Sequence, residues 1–137
     1  MEIVRADEHP VQVGADTYTG QVWNEVLATG VAPWRLHVAR VTFAPGARSA
    51  WHHHPVGQVL VVLSGLGRTQ LVGGRIEVLR PGDTVSVGAG EEHWHGADPD
   101  HVLVHLAIQE ASETGEQAIW GRPVSEQEYR DHRRSSR

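Results

Sequence analysis

Apolar and polar residues alternate with a period of two along much of the chain, and that period predicts strands. Residues 36–43 show it best. His37, Ala39, Val41 and Phe43 fall on one face, and Leu36, Val38, Arg40 and Thr42 on the other. Residues 18–23 read as a short strand by their β-branched and aromatic content, residues 24–33 as a loop, and residues 1–16 give only weak signals. Residues 58–63, Gln-Val-Leu-Val-Val-Leu, predict a strand buried on both faces. Residues 68–72 and 75–79 flank Gly73-Gly74, a two-residue hairpin signal. Further strands are expected over 84–87 and 102–109. Turns are marked by Ala44-Pro45-Gly46, Ser64-Gly65-Leu66-Gly67, Pro81-Gly82-Asp83 and Gly88-Ala89-Gly90. Ser125 and Glu128 form a capping-box signature, with Val124 and Tyr129 placed as its hydrophobic staple. They predict a helix from about Glu126 to Arg133, then a basic tail. Many short strands between Gly/Pro turns, with one short C-terminal helix, indicate an all-β barrel or sandwich. The length fits one domain over residues 1–137.

One strand-like stretch carries chemistry: Ala50-Trp51-His52-His53-His54-Pro55-Val56-Gly57-Gln58. Successive strand side chains point to opposite faces. His52 and His54 therefore share a face, His53 points away from it, and Gln58 has the parity of His52 and His54. Two imidazoles and an amide oxygen aimed at one point suit a borderline divalent ion. A further ligand is needed from elsewhere, and His93 and His95 are the candidates. His105 shares a strand face with Leu103, Ala107 and Gln109. Trp51 and Trp94 flank these histidines and are expected to pack the barrel wall. His9, His37, His101 and His132 carry no signal of their own.

Composition narrows the chemistry. Net charge is −5, from 12 basic and 17 acidic residues, which argues against nucleic acid as a partner. There is no cysteine, which excludes disulfides, thiolate metal sites and thiol nucleophiles. The start, Met1-Glu2-Ile3-Val4-Arg5, has no apolar signal segment, and no apolar run approaches the ~18 residues of a membrane span. A cytoplasmic protein without membrane contact is the expectation. Ten histidines is a high count, and the cluster at 52–54 is internal.

Two spacings resemble the cupin family. Its first motif is Gly, five residues, His, one, His, three or four, Glu, six, Gly; here Gly46, His52, His54, Gln58 and Gly65 hold those places. Its second is Gly, five, Pro, one, Gly, two, His, three, Asn; here Gly82, Gly90 and His93 match, while Gly88 replaces Pro and Ala97 replaces Asn. Gln58 stands where the general motif has Glu. The resemblance implies a small double-stranded β-helix barrel, jelly-roll-like, with His52, His54, Gln58 and His93 as metal ligands. Three His and one Gln leave +2 on the metal and its ligands, against +1 for three His and one Glu. The metal is then held less tightly and is a stronger Lewis acid.

A narrower likeness covers most of the chain. It rests on Tyr18-Thr19-Gly20-Gln21-Val22, residues 41–48, Trp51-His52, His54-Pro55, Gly57-Gln58, residues 92–97, residues 105–110 and the region of Tyr129. These look like the small bacterial cupins that include manganese-dependent hydroxynitrile lyases, which also carry the Gln ligand. The likeness implies a lyase cleaving cyanohydrins, with Mn(II) favoured and Fe(II) the alternative; Zn, Ni or Cu would enter as expression artefacts. His105 is the preferred base, His95 the second choice, and Gln109 is placed to orient the nitrile or departing cyanide. Ala39 and Val41 are expected to shape the pocket. The competing readings are an Fe(II) dioxygenase of a small organic substrate and a non-catalytic cupin that binds metal or a small ligand. A homo-oligomer, dimer or tetramer, with interface strands within residues 1–23, completes what the resemblance implies.

Overall fold

A computed structural model describes residues 1–14 and 16–131. Its strands are β1 (Val11–Val13), β2 (Tyr18–Thr19), β3 (Val22–Thr29), β4 (Leu36–Phe43), β5 (Arg48–Ser49), β6 (His52–His53), β7 (Gln58–Gly65), β8 (Gly67–Leu71), β9 (Glu77–Leu79), β10 (Thr84–Val87), β11 (His93–Ala97), β12 (Leu103–Glu110) and β13 (Ile119–Trp120), followed by the helix α1 (Glu126–Tyr129). They form two antiparallel sheets. One runs β1-β3-β4-β12-β7-β10; the other runs β13-β6-β11-β5-β2, with β8 pairing β11 and β9. Inward residues of both sheets, among them Val41, Phe43, Leu60, Val62, Leu79, Ala97 and Leu103, meet in one core. This is the all-β architecture that the alternation predicts, in the jelly-roll-type arrangement that the family resemblance implies.

Several expectations are corrected in detail. Residues 24–29 are not loop but the body of β3. Polar Asn24 and Glu25 lie opposite Val41 and Arg40, and the Glu25 carboxylate accepts Arg40 Nε and Nη2 at 3.1 and 2.8 Å. A cross-strand ion pair thus holds polar residues in a strand that composition alone does not signal. Strand β7 is not buried on both faces: Gln58, Leu60 and Val62 are buried, while Val59 and Leu63 are 37% and 43% exposed, because only one face of this sheet covers the core. The hairpin at Gly73-Gly74 exists with another register. Gly67 pairs Leu79 and Thr69 pairs Glu77, and Gly74 N–H donates to Leu71 O at 2.8 Å, so the turn starts at Leu71 rather than spanning two residues. Within 50–58, only His52–His53 pair as strand before Gln58.

The motif glycine at 65 has a steric cause. Its φ is +88°, and a Cβ there would lie 1.8 Å from Val102 O, so only glycine lets β7 meet the start of β12.

The capping box forms as predicted: Glu128 N–H donates to Ser125 Oγ at 3.1 Å, and Ser125 N–H to the Glu128 carboxylate at 3.0 Å. Val124 and Tyr129 are buried with Trp51, Ile76 and Trp94 in a second core, so both tryptophans pack as expected. Buried Arg48 ties this cluster to β5. It donates to Val124 O, and its guanidinium lies 4.5 Å from the Tyr129 ring centre. The helix ends at Tyr129, earlier than the predicted Arg133; residues 132–137, with His132 and Arg133, lie outside the described residues. Among the described residues, no helix is long and apolar enough to cross a membrane.

Candidate metal centre and its cavity

Register brings the histidines together. His52 pairs His93 across β6 and β11, and Trp120 across β6 and β13. His54 leaves the strand at once, and its carbonyl accepts Gly90 N–H at 2.9 Å. Gln58 opens β7, opposite Val87 on one side and Gln109 on the other. The rings of His52 and His93 are 4.3 Å apart, those of His52 and His54 5.0 Å, and those of His54 and His93 5.4 Å. His52, His54, Gln58 and His93 are all buried, and His53 is half-buried outside the cavity wall.

Each ring is oriented through Nδ1. His52 Nδ1 donates to Ala50 O at 2.9 Å, His54 Nδ1 to Gln117 O at 2.8 Å, and His93 Nδ1 to Glu91 O at 3.0 Å. This fixes the tautomer and leaves Nε2 as the lone-pair nitrogen of each ring, the arrangement of metal-binding imidazoles. Burial keeps the rings neutral: it pushes His54 down, His93 down to about 4, and His52 well below the ordinary imidazole value, helped there by His93.

Gln58 completes the argument. Its Nε2 donates to Gln109 Oε1 at 2.8 Å, and Gln109 Nε2 donates to Gln117 Oε1 at 3.2 Å. Gln58 Oε1 is thereby turned inward, 3.3 Å from His93 Nε2. With His93 Nδ1 already donating, both facing atoms are acceptors. Buried His54 Nε2 also lacks a partner. Converging acceptors without a donor are what a cation satisfies. The residues present therefore fit a divalent metal.

His95 belongs to the same cluster. Ligand nitrogens of His52, His93 and His95 all lie within 4.8 Å of one another. His95 lines the cavity, its Nε2 is buried without a partner, and its Nδ1 is 3.0 Å from His105 Nε2. His105 sits one layer deeper, 0% exposed, beside Phe43, and does not line the cavity. Burial pushes His105 down to about 4 and His95 well below its ordinary value, with His105 the next cause for His95. Gln109 lines the cavity, with its amide already engaged at both ends.

The cavity holds about 460 Å³. Ala39 and Val41 line it, as their parity predicts. Among the lining residues that sequence reasoning did not find are His37, Asn24, Gln117 and Trp120. The Trp120 ring lies 4.5 Å from the His52 ring at 32°, and Tyr18 meets Trp120 edge-on at 5.8 Å. The parity of His37 with Ala39 and Val41 was the available signal. Nothing local marks Gln117 or Trp120, whose segment reaches the site only through the pairing of β13 with β6.

A cupin domain model matches residues 39–108. The chain is 44% identical over 131 residues to an (R)-mandelonitrile lyase of Granulicella tundricola, covering 95% of this chain and 99% of that protein. A cupin-like protein of Thermotoga maritima has a similar structure, with a TM-score of 0.80 at 40% identity over 86% of this chain and 89% of the other. The polyketide cyclase RemF of Streptomyces resistomycificus shares the fold at a TM-score of 0.71 and 21% identity, over 94% of this chain and 90% of that one.

Proposed function

The chain belongs to the cupin family, and from that premise we propose that it is a metal-dependent lyase that cleaves cyanohydrins to aldehyde and hydrogen cyanide. One observation carries the reading: His52, His54 and Gln58, whose Oε1 meets His93 Nε2 at 3.3 Å, line the same cavity as His95, a neutral ring whose Nε2 has no partner. The similarity to a mandelonitrile lyase supplies the reaction class.

His52, His54, Gln58 and His93 would hold a divalent ion, with Mn(II) the favoured occupant, which would supply Lewis acidity toward a hydroxyl oxygen. The chain's own residues handle the proton. His95, a cavity-lining residue whose Nε2 has no partner in the protein, accepts it from the substrate hydroxyl at Nε2. His95 Nδ1–H then donates to His105 Nε2, so His105 ends as the proton acceptor. As the C–CN bond breaks, its electron pair leaves with cyanide. The proton returns through His95 to give hydrogen cyanide, and the aldehyde departs. Both imidazoles are neutral at the outset because burial disfavours their charged forms, which leaves the relay ready to accept. Trp120 and Tyr18 offer aromatic surface beside His52 for the substrate's body. Val11 and Val13 on the edge strand β1, 56% and 67% exposed, support self-association as a dimer or tetramer.

Metal analysis of protein from unsupplemented cells, followed by reconstitution with Mn(II) or Fe(II), tests the reading. The manganese form is expected to release aldehyde from mandelonitrile above the no-enzyme rate. No release would remove the lyase reading, and oxygen uptake by the iron form would put an oxygenase in its place. Zinc, nickel or copper found at isolation would reflect the Irving–Williams order rather than the working metal.

Gln58→Glu tests the charge argument. The added carboxylate neutralises one unit of charge, so metal loss to a chelator is expected to slow and cleavage to slow with it. Faster metal loss with an undistorted site would contradict it.

A further inference from the structure

Gln117 serves two of the four proposed ligands at once. Its carbonyl accepts His54 Nδ1–H at 2.8 Å, and its side chain ends the amide series that begins at Gln58. Register supplies the middle member, since Gln58 and Gln109 stand opposite each other on β7 and β12. Gln117 comes from the irregular stretch between β12 and β13. That stretch is held on both sides of Gln117: Ser112 N–H donates to Glu116 O at 2.7 Å, and Ile119 pairs His53. Gln58 is buried and Gln117 half-buried, so the series runs from the ligand cluster outward.

Three amides in series have two coherent senses. Each has an accepting and a donating end of nearly equal size, so reversing one obliges the next to reverse. In the sense described above, Gln58 Nε2 donates to Gln109, Gln109 Nε2 donates to Gln117, and Gln58 Oε1 meets His93 Nε2 at 3.3 Å. In the opposite sense the same contacts carry their hydrogens the other way, and Gln58 turns Nε2 toward His93 Nε2. That ring nitrogen is an acceptor, because His93 Nδ1 donates to Glu91 O. The opposite sense therefore gains one hydrogen bond, and it withdraws the one oxygen from the ligand set. It competes with ion binding. Among the described residues, no Asp, Glu, Lys or Arg lines the cavity, so no charged side chain there dictates the sense.

We infer that Gln109 and Gln117 are positioning residues for the metal: the sense of their amides sets how tightly the Gln58 oxygen holds it, and Gln117 controls that sense from two amides away. This rests on the reading of Gln58 as a ligand. A residue at position 117 that can only accept holds the whole series in the ion-binding sense. Gln117→Glu supplies one. Its carboxylate obliges Gln109 to donate, Gln109 then accepts from Gln58, and Gln58 presents its oxygen.

Titration of chelator-stripped protein with Mn(II), the free ion being read by electron paramagnetic resonance, measures the effect without turnover. Gln117→Glu is expected to lower Kd about fivefold through orientation, the worth of the one hydrogen bond that the competing sense gains. The added charge also attracts the ion, and Gln109→Leu separates the two effects, because it cuts the series and leaves the charge in place. In the Gln109→Leu background, Gln117→Glu should therefore lower Kd by less than about twofold. Gln58→Glu is a second uncoupled background, for use if Gln109→Leu folds poorly: a carboxylate presents oxygen whichever way it turns, so the fivefold gain should be missing there too. An equal gain in all backgrounds would reduce the effect to charge, and no gain in the wild-type background would take control away from Gln117; either result overturns the inference. The metal reading fails differently: the wild type then takes up no Mn(II), or Gln58→Ala binds it as tightly as the wild type does.

Discussion

The His52→Ala/His54→Ala double variant is expected to hold metal at background and to release aldehyde from mandelonitrile no faster than buffer. Each of these rings is held by a carbonyl at Nδ1, at 2.9 Å for His52 and 2.8 Å for His54, and offers Nε2 inward. Alanine removes both donors and leaves His93 and the Gln58 oxygen, too few to retain an ion against a chelator. Elemental analysis reads the result directly, and full occupancy would reject the site. Single variants settle which four-donor set works. His54 lies outside the tight triad of His52, His93 and His95. If His54→Ala keeps its metal and His95→Ala loses it, the triad with His95 is the ligand set, and His95 is unavailable as a base. If His54→Ala loses metal and His95→Ala keeps it, the set with His54 stands, and the loss in the double variant is explained by both residues.

How much of this was legible depended on which physical signal each residue carries. Parity put His52, His54 and Gln58 toward one point, and all three line one cavity. It worked because the Pro55-Val56-Gly57 turn brings β7 back in phase, even though the strand itself lapses after His53. Strands with alternating apolar residues, 36–43 and 84–87, were placed to the residue. Strand β3 was missed because its inward side carries Asn24 and its outward side Glu25, a pattern that resembles loop until Arg40 is brought alongside. Depth was not legible either. His105 and Gln109 share a face, yet the curvature of the floor leaves Gln109 on the cavity wall and seals His105 beneath His95. Period-two reasoning gives a side, not a distance from solvent. The third oriented ring needs Gln117, whose carbonyl comes from a segment 63 residues away in sequence with no regular pattern. Amide orientation was the other hidden element: Gln58 presents oxygen inward only because Gln109 and Gln117 take up the donors in series.

His105→Ala is expected to retain metal and to slow cyanohydrin cleavage by about 10²–10⁴-fold, the usual contribution of a positioned acid–base group. His105 is not on the cavity wall, so the effect passes through His95, whose Nδ1 is 3.0 Å from His105 Nε2. Removing His105 leaves His95 able to accept a proton at Nε2 but with nowhere to pass the one on Nδ1. The imidazolium is then stranded in a buried site that disfavours charge. His105→Gln keeps a polar partner of similar size without basicity and is expected to match the alanine variant, which separates loss of the acceptor from loss of packing against Phe43. His95→Ala should fall at least as far, since it removes the group that meets the substrate. The pH profile gives an independent reading. His105 faces His95 from β11, the Phe43 ring and Val41 from β4, and Val62 from β7; no carboxylate faces it among these, and burial sets its pKa at about 4. A base must be neutral to act, so it works above that value and is lost as pH falls through it. Cleavage by the wild type should persist well below pH 6.5 and decline toward about 4, where His93 also takes up its proton; metal content measured at each pH separates the two causes, and the residual rate of His105→Gln should keep only the decline that follows metal loss. Full activity in both His105 variants would keep the reaction and make His95 alone the base. Loss of metal in either variant would instead move His105 from proton transfer to support of the ligand shell.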